Sequence, residues 1–472
     1  MFSPLRSTLL LCLLCSASPA RATDWPQFRG PNAAGSADSA RYPARLLPDS
    51  NLRWKIPLPA GISSPCIVGA RIYLTAVRGS ELLTLALDRD SGALVWERKA
   101  RADRTEEVHQ IGSPATPTPA CDGERVYVFF GSFGLLAYDL DGNEEWALPL
   151  GPFKNGYGQA SSPIVWRDRV ILNCDQDIDS FCLAAEKSTG KILWRNPRPG
   201  FPRGFSTPVV SRVGEEDQVL VAGTLRMIAY DPRDGSERWS VRGLARIVNS
   251  TPVLGGGLIL VSSYAPGGDS DDRISMSSFA EFTRDNDKDK DGFLAFEEVP
   301  DGPFRARFPQ LDADKNGKIT QAEWESMQRI FEAARNSIFA VKPDGKGDVT
   351  DTHVVWRYER ATPYTSSPLY HNGLVYILKD GGIFTCLDAV TGKLEKQARL
   401  PAGGNYYASP VVGSGLIYTV SRDGGLSVIQ AGRAWDVVQT LDLKETCMAT
   451  PALVDGRIYL RSEKHLYAFE DR

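Results

Sequence analysis

Two short acidic stretches of this 472-residue chain have side chains whose types and spacing could bind a metal ion. They read DKDKDGFLAFEE at 287–298 and DADKNGKITQAE at 312–323. In each stretch, oxygen-bearing side chains stand at positions one, three, five and twelve, and a glycine stands at position six. Ca²⁺ takes six to eight oxygen ligands from carboxylates, amides and backbone carbonyls. The two stretches therefore predict two calcium sites.

Both stretches fit the twelve-residue EF-hand loop, in which position seven binds the ion through its backbone carbonyl. The predicted ligands of the first loop are Asp287, Asp289, Asp291, Phe293 and Glu298. Those of the second loop are Asp312, Asp314, Asn316, Lys318 and Glu323. A single match could be a solvated acidic loop. Because two matches stand 25 residues apart, we favour a calcium-binding pair.

Helical patterns flank the two loops and should position them. Apolar residues recur on one face of an entering helix and on one face of an exit helix. These residues are Phe279, Phe282, Trp324, Met327, Ile330 and Phe331. Between the loops, Pro300, Pro303 and Pro309 should shorten the inner helices. This pattern favours a structural or weakly regulated calcium site over one that undergoes a large opening motion.

The rest of the chain repeats one pattern of four short strands separated by turn residues. Each copy opens with Ser-Pro or Thr-Pro. The prolines are Pro65, Pro119, Pro163, Pro208, Pro252, Pro368, Pro410 and Pro451. A four-stranded unit that recurs at roughly 40–45 residues is typical of a β-propeller. The repeat therefore predicts an all-β fold with eight blades.

A second signature recurs in five copies, at 85–96, 136–146, 184–194, 228–239 and 386–396, and is best seen in LALDRDSGALVW at 85–96. Its Ala86, Asp88, Ser91, Gly92 and Trp96 fit a pattern that closely resembles the quinoprotein-type (PQQ-like) propeller repeat. The resemblance recurs along the chain and implies an eight-bladed β-propeller with four-stranded antiparallel blades. In such a repeat, the tryptophan is expected to pack between neighbouring blades.

The two ends of the repeat region complete each other. LRWKIPLP at 52–59 looks like a fourth strand without its first three, and 450–472 looks like three strands without a fourth. Pairing the N-terminal strand with the C-terminal three would close the ring and remove a sheet edge. The same count fixes the number of blades at eight.

The acidic loops interrupt this repeat within blade 5. Pro252 and Pro368 stand 116 residues apart, which leaves about seventy residues for an insert between the second and third strands. That loop should lie on the same face as the crossings between blades. The predicted domains are a signal peptide at 1–22, an N-terminal arm at 23–50, a propeller at 51–265 and 337–472, and an EF-hand insert at 266–336.

The N-terminus reads as a secretory signal. A short apolar core at Leu9–Leu14 precedes Ala20-Arg21-Ala22, which suits cleavage before Thr23. We therefore expect an exported protein, periplasmic or extracellular, without a membrane span. Removing the segment takes the formal net charge from −4 to −6. Because the chain also lacks a basic cluster, nucleic-acid binding is disfavoured.

The segment that follows contains DWPQFRGPNAAG at 24–35. It is similar to a W-x-x-[FW]-R-G-P segment found after the signal peptide of secreted bacterial relatives. We expect it to pack on the side of the propeller.

In blade 3, Cys174 and Cys182 flank a predicted hairpin. A disulfide and two buried free thiols are both compatible with this spacing.

Residues just before each first strand should line a central funnel on the face that bears the insert. They are His109, Gln110, Tyr157, Gln159, Arg203, Phe205, Arg246, Asn249, Tyr364, Asn405, Tyr406 and Met448. Such aromatic, arginine and amide side chains suit a planar, polar or sugar-like ligand. They could equally satisfy the polar groups of the crossing loops.

Two classes of function fit these observations. The first is an exported, calcium-loaded binding or scaffold propeller, expected to be a monomer, with a protein or carbohydrate partner; it resembles the propeller lipoprotein of outer-membrane assembly. The second is a PQQ- and calcium-dependent quinoprotein oxidoreductase acting on alcohols or sugars. The chain has no adjacent cysteine pair, only four isolated histidines, and no familiar catalytic motif. We therefore favour the binding propeller and do not favour PQQ.

Overall fold

Eight sheets, seven of four strands and one with a short fifth strand, stand around a common axis in the computed structural model, which describes residues 24–37, 40–106, 108–269 and 273–471. Strands that follow one another in sequence pair antiparallel within each sheet. This arrangement confirms the predicted eight-bladed propeller. The expected signal peptide at 1–22 lies outside the described residues. Within them, no helix has both the length and the apolar character needed to cross a membrane.

Blades 1 to 4 are numbered in chain order and counted from the axis outwards. Blade 1 consists of Cys66–Val68, Arg71–Arg78, Glu81–Asp88 and Leu94–Lys99. Blade 2 consists of Ala120–Cys121, Arg125–Phe130, Gly134–Asp139 and Glu144–Pro149. Blade 3 consists of Ile164–Trp166, Arg169–Cys174, Phe181–Glu186 and Ile192–Pro197. Blade 4 consists of Val209–Val213, Glu216–Gly223, Arg226–Tyr230 and Glu237–Arg242.

The remaining blades follow the same order, except that the last takes its outer strand from the N-terminus. Blade 5 consists of Val253–Gly255, Leu258–Ser263, Ser337–Val341 and Val354–Tyr358. Blade 6 consists of Leu369–His371, Leu374–Lys379, Ile383–Asp388 and Leu394–Arg399. Blade 7 consists of Val411–Gly413, Leu416–Val420, Gly425–Gln430 and Asp436–Asp442. Blade 8 consists of Ala452–Val454, Arg457–Arg461, His465–Glu470 and Leu52–Pro57.

The ring closes as the sequence predicts. Leu52–Pro57 pairs antiparallel with His465–Glu470 and completes the sheet of blade 8. Trp54 of this strand packs against the turn at Gly92 of blade 1. Since the two chain ends share one sheet, the first and last strands hold the ring together.

In blades 1, 2, 3 and 5, the repeated tryptophan joins the blade to the next by a hydrogen bond. The indole Nε1 of Trp146 in blade 2 donates to the carbonyl of Lys187 in blade 3, at 3.0 Å. The ring lies against Gly190, whose φ of +73° belongs to the same turn. Three other blades repeat this bond, from Trp96 to Leu140, Trp194 to Pro232 and Trp356 to Ala389. The contact between neighbouring blades is therefore polar as well as apolar.

Blade 4 departs from this scheme. The indole of Trp239 donates to Gln218 of its own blade, at 2.9 Å. Gly347–Asp348 adds a short fifth strand, parallel to Glu237–Arg242. In blade 5, a longer loop with a short helix at Thr350–His353 replaces the usual turn. The loop supplies backbone contacts in place of the tryptophan bond, such as the N–H of Val349 donating to the carbonyl of Ser240 at 2.9 Å.

A small helical unit lies between the second and third strands of blade 5. Its helices are Phe279–Asn286, Phe308–Leu311 and Gln321–Ala333, with single 3₁₀ turns at Phe296–Glu298 and Arg305–Arg307. Short strands at Leu294–Ala295 and Lys318–Ile319 pair with each other. Trp324 is fully buried and contacts Phe279, Phe282 and Phe304. The inner helices are short, as the prolines predict.

The N-terminal arm crosses the propeller axis, so the expected position on its side is wrong. Trp25 bridges to Ile67 of blade 1, and the carbonyl of Pro26 accepts the backbone N–H of Cys121 in blade 2. A 3₁₀ turn at Pro31–Ala33 follows, and the carbonyl of Gly35 then accepts the N–H of Val412 in blade 7. The innermost strands have one unpaired edge that faces the axis, and the arm satisfies part of it.

The structure also decides between the two states considered for Cys174 and Cys182. In the hairpin register, Cys174 faces Phe181 and Cys182 faces Asn173. Side chains alternate between the two faces of a strand, so this offset of one residue directs the two thiols to opposite faces. Cys174 packs between blades 2 and 3, and Cys182 packs between blades 3 and 4. Both are buried free thiols.

Candidate functional site

The first acidic loop of the insert converges on one point. Carboxylate oxygens of Asp287, Asp289 and Asp291 lie within 4.8 Å of one another. Glu298 is buried, and its Oε1 accepts the N–H of Lys288 at 2.8 Å. Asp287 Oδ1 is also buried and has no hydrogen-bond partner among the described residues. A buried carboxylate oxygen without a donor is the kind of group that a cation would satisfy.

The second loop repeats the same geometry. Carboxylate oxygens of Asp312, Asp314 and Glu323 lie within 4.8 Å of one another. Asn316 Oδ1 accepts the N–H of Lys318 at 2.9 Å. The φ values of Gly292 and Gly317, at position six of the two loops, are +82° and +88°. Non-glycine residues rarely adopt such values, so glycine permits the sharp turn that both loops need.

The two loops are joined as a pair. Leu294 and Ile319 face each other in the short antiparallel ladder, and both are fully buried. The ammonium group of Lys318 forms an ion pair with Asp291 of the other loop. This ion pair lowers the pKa of Asp291 and keeps that carboxylate charged. A short ladder and one ion pair thus join the two acidic loops, and their assignment as a calcium-binding EF-hand pair stays a prediction.

A cavity of about 160 Å³ lies on the propeller axis. Every blade contributes to its wall, and Phe28 of the N-terminal arm contributes as well. Gly69 N, in a turn between first and second strands, donates to Asp24 of the arm at 2.9 Å. The arm therefore lies at that end of the inner strands and closes the floor of the cavity.

A ring of eight hydroxyl side chains surrounds the cavity, with one from each blade. These are Ser64, Thr118, Ser162, Thr207, Thr251, Ser367, Ser409 and Thr450, each directly before the proline that opens a blade. In seven steps, the backbone N–H of one member donates to the hydroxyl of the next, at 2.9–3.0 Å. The repeated Ser/Thr-Pro is visible in the sequence, but the ring of hydrogen bonds that its hydroxyls form was not predicted from it.

Of the residues predicted to line the funnel, five do so. They are Tyr157, Phe205, Asn249, Tyr364 and Met448. His109, Gln110 and Asn405 are exposed in the crossings above the cavity. Gln159 is buried and donates to the carbonyl of Asp175 at 3.0 Å.

Three further predictions for the funnel differ from the structure. Tyr406 is buried outside the cavity and its neighbour Tyr407 lines it, because side chains of successive extended residues point in opposite directions. Arg203 and Arg246 line a smaller cavity beneath the insert. Ile247 borders both cavities, so the insert lies at the rim of the funnel.

Glu106, in the crossing between blades 1 and 2, is the carboxylate with the clearest perturbation near the funnel. Burial raises its pKa to about 7, although a hydrogen bond from Ser132 opposes the shift. Its Oε1 is buried without a partner among the described residues. Both oxygens lie close to Gly131, whose neighbour on the other side is Gln159. Glu106 can therefore exchange a proton near neutral pH.

The central cavity does not fit PQQ. This cofactor carries three carboxylates, and its binding would call for cationic side chains and a set of metal ligands. The lining consists of hydroxyl, aromatic, aliphatic and amide groups together with one glycine, and no charged side chain is among them. Within the described residues, both groups of acidic side chains that could hold a metal lie in the insert. The wall suits a neutral, partly apolar group.

Comparison with known proteins places this fold in a family. The sequence family described as outer membrane protein assembly factor BamB matches residues 47–172, 154–268 and 346–471, which together cover more than half of the chain. This chain belongs to the BamB family. The matches leave out residues 269–345, which contain most of the insert. No protein of curated function matches the chain in sequence.

Solved structures support the same fold. BamB from Moraxella catarrhalis is 14% identical with a TM-score of 0.57, over 89% of this chain and 97% of that one. Quinohemoprotein alcohol dehydrogenase ADHIIG from Pseudomonas putida HK5 is 13% identical with a TM-score of 0.58, over 95% and 80%. A europium-containing methanol dehydrogenase is 12% identical with a TM-score of 0.56, over 95% and 98%. BamB and these dehydrogenases thus share one PQQ-like propeller fold.

Proposed function

We propose that this member of the BamB family is an exported, calcium-binding scaffold that docks a protein partner on the face of the propeller bearing the insert. The expected signal peptide and the family description, an outer membrane assembly factor, support a location in the cell envelope. In this proposal the propeller performs no chemistry. Its exposed crossings and its insert form the docking face, and its cavity accepts a neutral side chain of the partner.

The observation that carries this proposal is the character of the central cavity. Its wall combines the hydroxyl ring with Tyr157, Phe205, Tyr364 and Tyr407. The arm closes its floor, so a ligand would enter from the side of the crossings. An apolar pocket with a few polar groups is the common form of a binding site. Aromatic side chains are enriched among the residues that contribute most to protein–protein binding.

Calcium would serve this function by holding the insert in shape. Each loop brings three or four carboxylates together, and these repel one another when no cation is bound. Two bound ions would offset that repulsion and fix the helices around Trp324. The short inner helices favour this structural role over a large calcium-driven opening.

Site-specific photocrosslinking in cells tests the docking face. A photoreactive amino acid would replace His109 or Asn405, which are exposed in the crossings. The control position is Val390, which is 64% exposed in a turn between the third and fourth strands of blade 6. Such turns lie at the opposite end of a four-stranded antiparallel blade. We expect one defined partner adduct at the crossing positions. Adducts confined to Val390 would contradict the proposal.

The alternative is a PQQ- and calcium-dependent quinoprotein oxidoreductase acting on alcohols or sugars. The likeness to two dehydrogenase structures favours it at the level of fold alone. The uncharged cavity wall speaks against it. Calorimetric titration of the calcium-treated protein with PQQ separates the two hypotheses, because micromolar binding would contradict the scaffold and support the oxidoreductase.

A carbohydrate is the other partner considered from the sequence, since aromatic and hydroxyl groups also suit sugar rings. Titration with soluble glycans of the cell envelope under the same conditions tests it. Glycan binding that is lost in Tyr407→Ala, with no protein adduct at His109 or Asn405, would replace the protein partner by a carbohydrate.

A further inference from the structure

A small cleft lies where the second acidic loop meets the propeller. The insert contributes Gln310 and Lys315, and the crossings of blades 3 and 4 contribute Arg203 and Arg246. Asp177, from the loop between the second and third strands of blade 3, completes the polar wall. Three cationic side chains and one carboxylate thus share a cavity of about 40 Å³.

The single carboxylate is already engaged by one of these cations. Arg203 binds Asp177 in a bidentate ion pair, with N–O distances of 2.7 and 2.8 Å. The ammonium of Lys315 is 3.7 Å from the same carboxylate. Asp177 can therefore offset only one of the three positive charges.

Arg246 has no acidic partner among the described residues. Its Nη1 is 3.5 Å from the amide oxygen of Gln310, and its guanidinium lies 5.6 Å from the ring of Phe331. Its Nε is buried and lacks a hydrogen-bond partner within the described part of the chain. A buried guanidinium N–H without an acceptor is costly, and an oxyanion would satisfy it.

The surroundings of Arg246 are positively charged. Burial, and to a smaller extent the nearby cations Arg307 and Arg203, lower the pKa of Arg246 to about 10. The repulsion from Arg307 and Arg203 would favour an anion at the same place, whereas burial disfavours an unpaired charge of either sign. The electrostatics of the cleft thus agree with its unmatched hydrogen-bond donor.

Lys315 ties this cleft to the second predicted calcium loop. It stands between the predicted ligands Asp314 and Asn316, at loop position four, with φ of +64°. Lys290 occupies the same position of the first loop with φ of +59° and is exposed like Lys315, but it does not line the cleft. An ion in the second loop would fix the backbone of Lys315 and add positive charge beside the cleft.

We propose that the cleft between the insert and the propeller binds an oxyanion group, a carboxylate or a sulfate-like group, through Arg246 and Lys315. We further propose that calcium in the second loop strengthens this binding. The second statement rests on the calcium binding of the proposed function, whereas the first stands on the geometry of the cleft alone. The oxyanion would come from a free anion or from an acidic side chain of the docked partner.

The test is calorimetry on the full mature chain with sulfate, acetate and a tetraglutamate peptide, at constant ionic strength set with chloride. We expect saturable binding of at least one probe. Arg246→Gln and Lys315→Gln should each weaken it by about tenfold, the usual loss for a charge-assisted hydrogen bond. Lys290→Gln is the matched control and should leave the affinity unchanged.

The probes also distinguish the sources of the group. Tighter binding of tetraglutamate than of acetate would assign the site to an acidic segment of a partner. Tighter binding of sulfate would assign it to a free tetrahedral anion. Lack of saturable binding to all three probes, or binding that neither variant weakens, would overturn the proposal. Because Lys315 lies in an exposed loop, its variant keeps the test decisive even where Arg246→Gln does not fold.

Repeating the titration with calcium and with a chelator tests the linkage. We expect calcium to tighten oxyanion binding roughly fivefold or more, and the oxyanion to tighten calcium binding by the same factor. If the oxyanion affinity is the same with calcium and with the chelator, in protein shown to bind calcium, the linkage is overturned but the oxyanion site in the cleft stands. Absence of calcium binding together with oxyanion binding would contradict the calcium role in the proposed function and leave the cleft assignment standing.

Discussion

Arg29 Nη2 donates to the carbonyl oxygen of Pro368 at 2.7 Å, and this bond ties the N-terminal arm to the innermost strand of blade 6. At the other end of the arm, Trp25 bridges to Ile67 of blade 1. The arm thus spans the axis between distant blades. Arg29 is fully buried, and burial lowers its pKa to about 9. Such a group is held in place by the packing around it.

The first prediction concerns this arm. Arg29→Ala removes a long buried side chain and leaves the carbonyl of Pro368 without its donor. We expect the free energy of unfolding to fall by about 2–4 kcal/mol, with faster hydrogen exchange at the N–H of Val412. Arg45→Ala, at an exposed arginine of the same arm, should change the free energy of unfolding by less than about 0.5 kcal/mol. Equal effects of the two changes would show that the arm does not brace the ring.

A second prediction tests the contact between blades through glycine. A Cβ at Gly190 would lie 2.6 Å from the ring of Trp146, whereas one at Gly123 would meet nothing within 4 Å. Both positions have positive φ, so Gly190→Ala and Gly123→Ala share the same backbone strain. We expect Gly190→Ala to lower the free energy of unfolding by about 1–3 kcal/mol more than Gly123→Ala, as measured by denaturant titration. A difference near zero would argue against tryptophan docking as a stabilising contact.

A third prediction separates the two calcium loops. Glu298→Gln and Glu323→Gln each replace a carboxylate at position twelve by a weaker ligand, so each should remove one calcium ion from the native mass spectrum. Glu297→Gln changes the exposed neighbour of Glu298 and should leave both ions bound. Loss of no ion in either position-twelve variant would place the calcium elsewhere.

The fourth prediction is a pH dependence set by Glu106. Its pKa in the folded protein, about 7, exceeds that of a free glutamate, so the folded state favours the protonated form. Its contribution to stability is complete below about pH 4.5 and is lost as the pH rises through about 7. Glu106→Gln should therefore stabilise the protein at pH 8 and have little effect at pH 4.5.

The measurement for Glu106 is the free energy of unfolding of both proteins at a series of pH values. Glu215→Gln, at an exposed glutamate, should run parallel to the unmodified chain. A constant difference between the Glu106 variant and the unmodified chain across this range would mean that Glu106 does not titrate near neutral pH.

The repeat made most of the fold predictable. The Ser/Thr-Pro openings mark the innermost strands, and the lone strand with Trp54 reveals the closure, because these signals are local and recur. The acidic loops match six fixed positions of the EF-hand pattern, and their carboxylates converge in the structure, while calcium binding stays a prediction. The sequence did not predict that Phe28 and Tyr407 line the central cavity.

The positions of these side chains cannot be derived from the repeat alone. Tyr406 and Tyr407 are adjacent, so their side chains point in opposite directions from an extended backbone. Turn residues do not fix the start of an inner strand to within one residue, so the sequence does not tell which of the two faces the cavity. The path of the arm across the axis follows from the free inner edges of blades far apart in sequence. The face that each of Cys174 and Cys182 occupies likewise depends on a register that spacing alone leaves open.

The most direct test of the account is native mass spectrometry of the purified mature protein, titrated first with Ca²⁺ and then with PQQ. The account predicts two bound calcium ions and no PQQ adduct, because two acidic loops converge and the central cavity presents no charged side chain. A third calcium ion that appears together with PQQ would make the chain a quinoprotein and place its chemistry in the cavity. Absence of bound calcium would contradict the metal sites themselves.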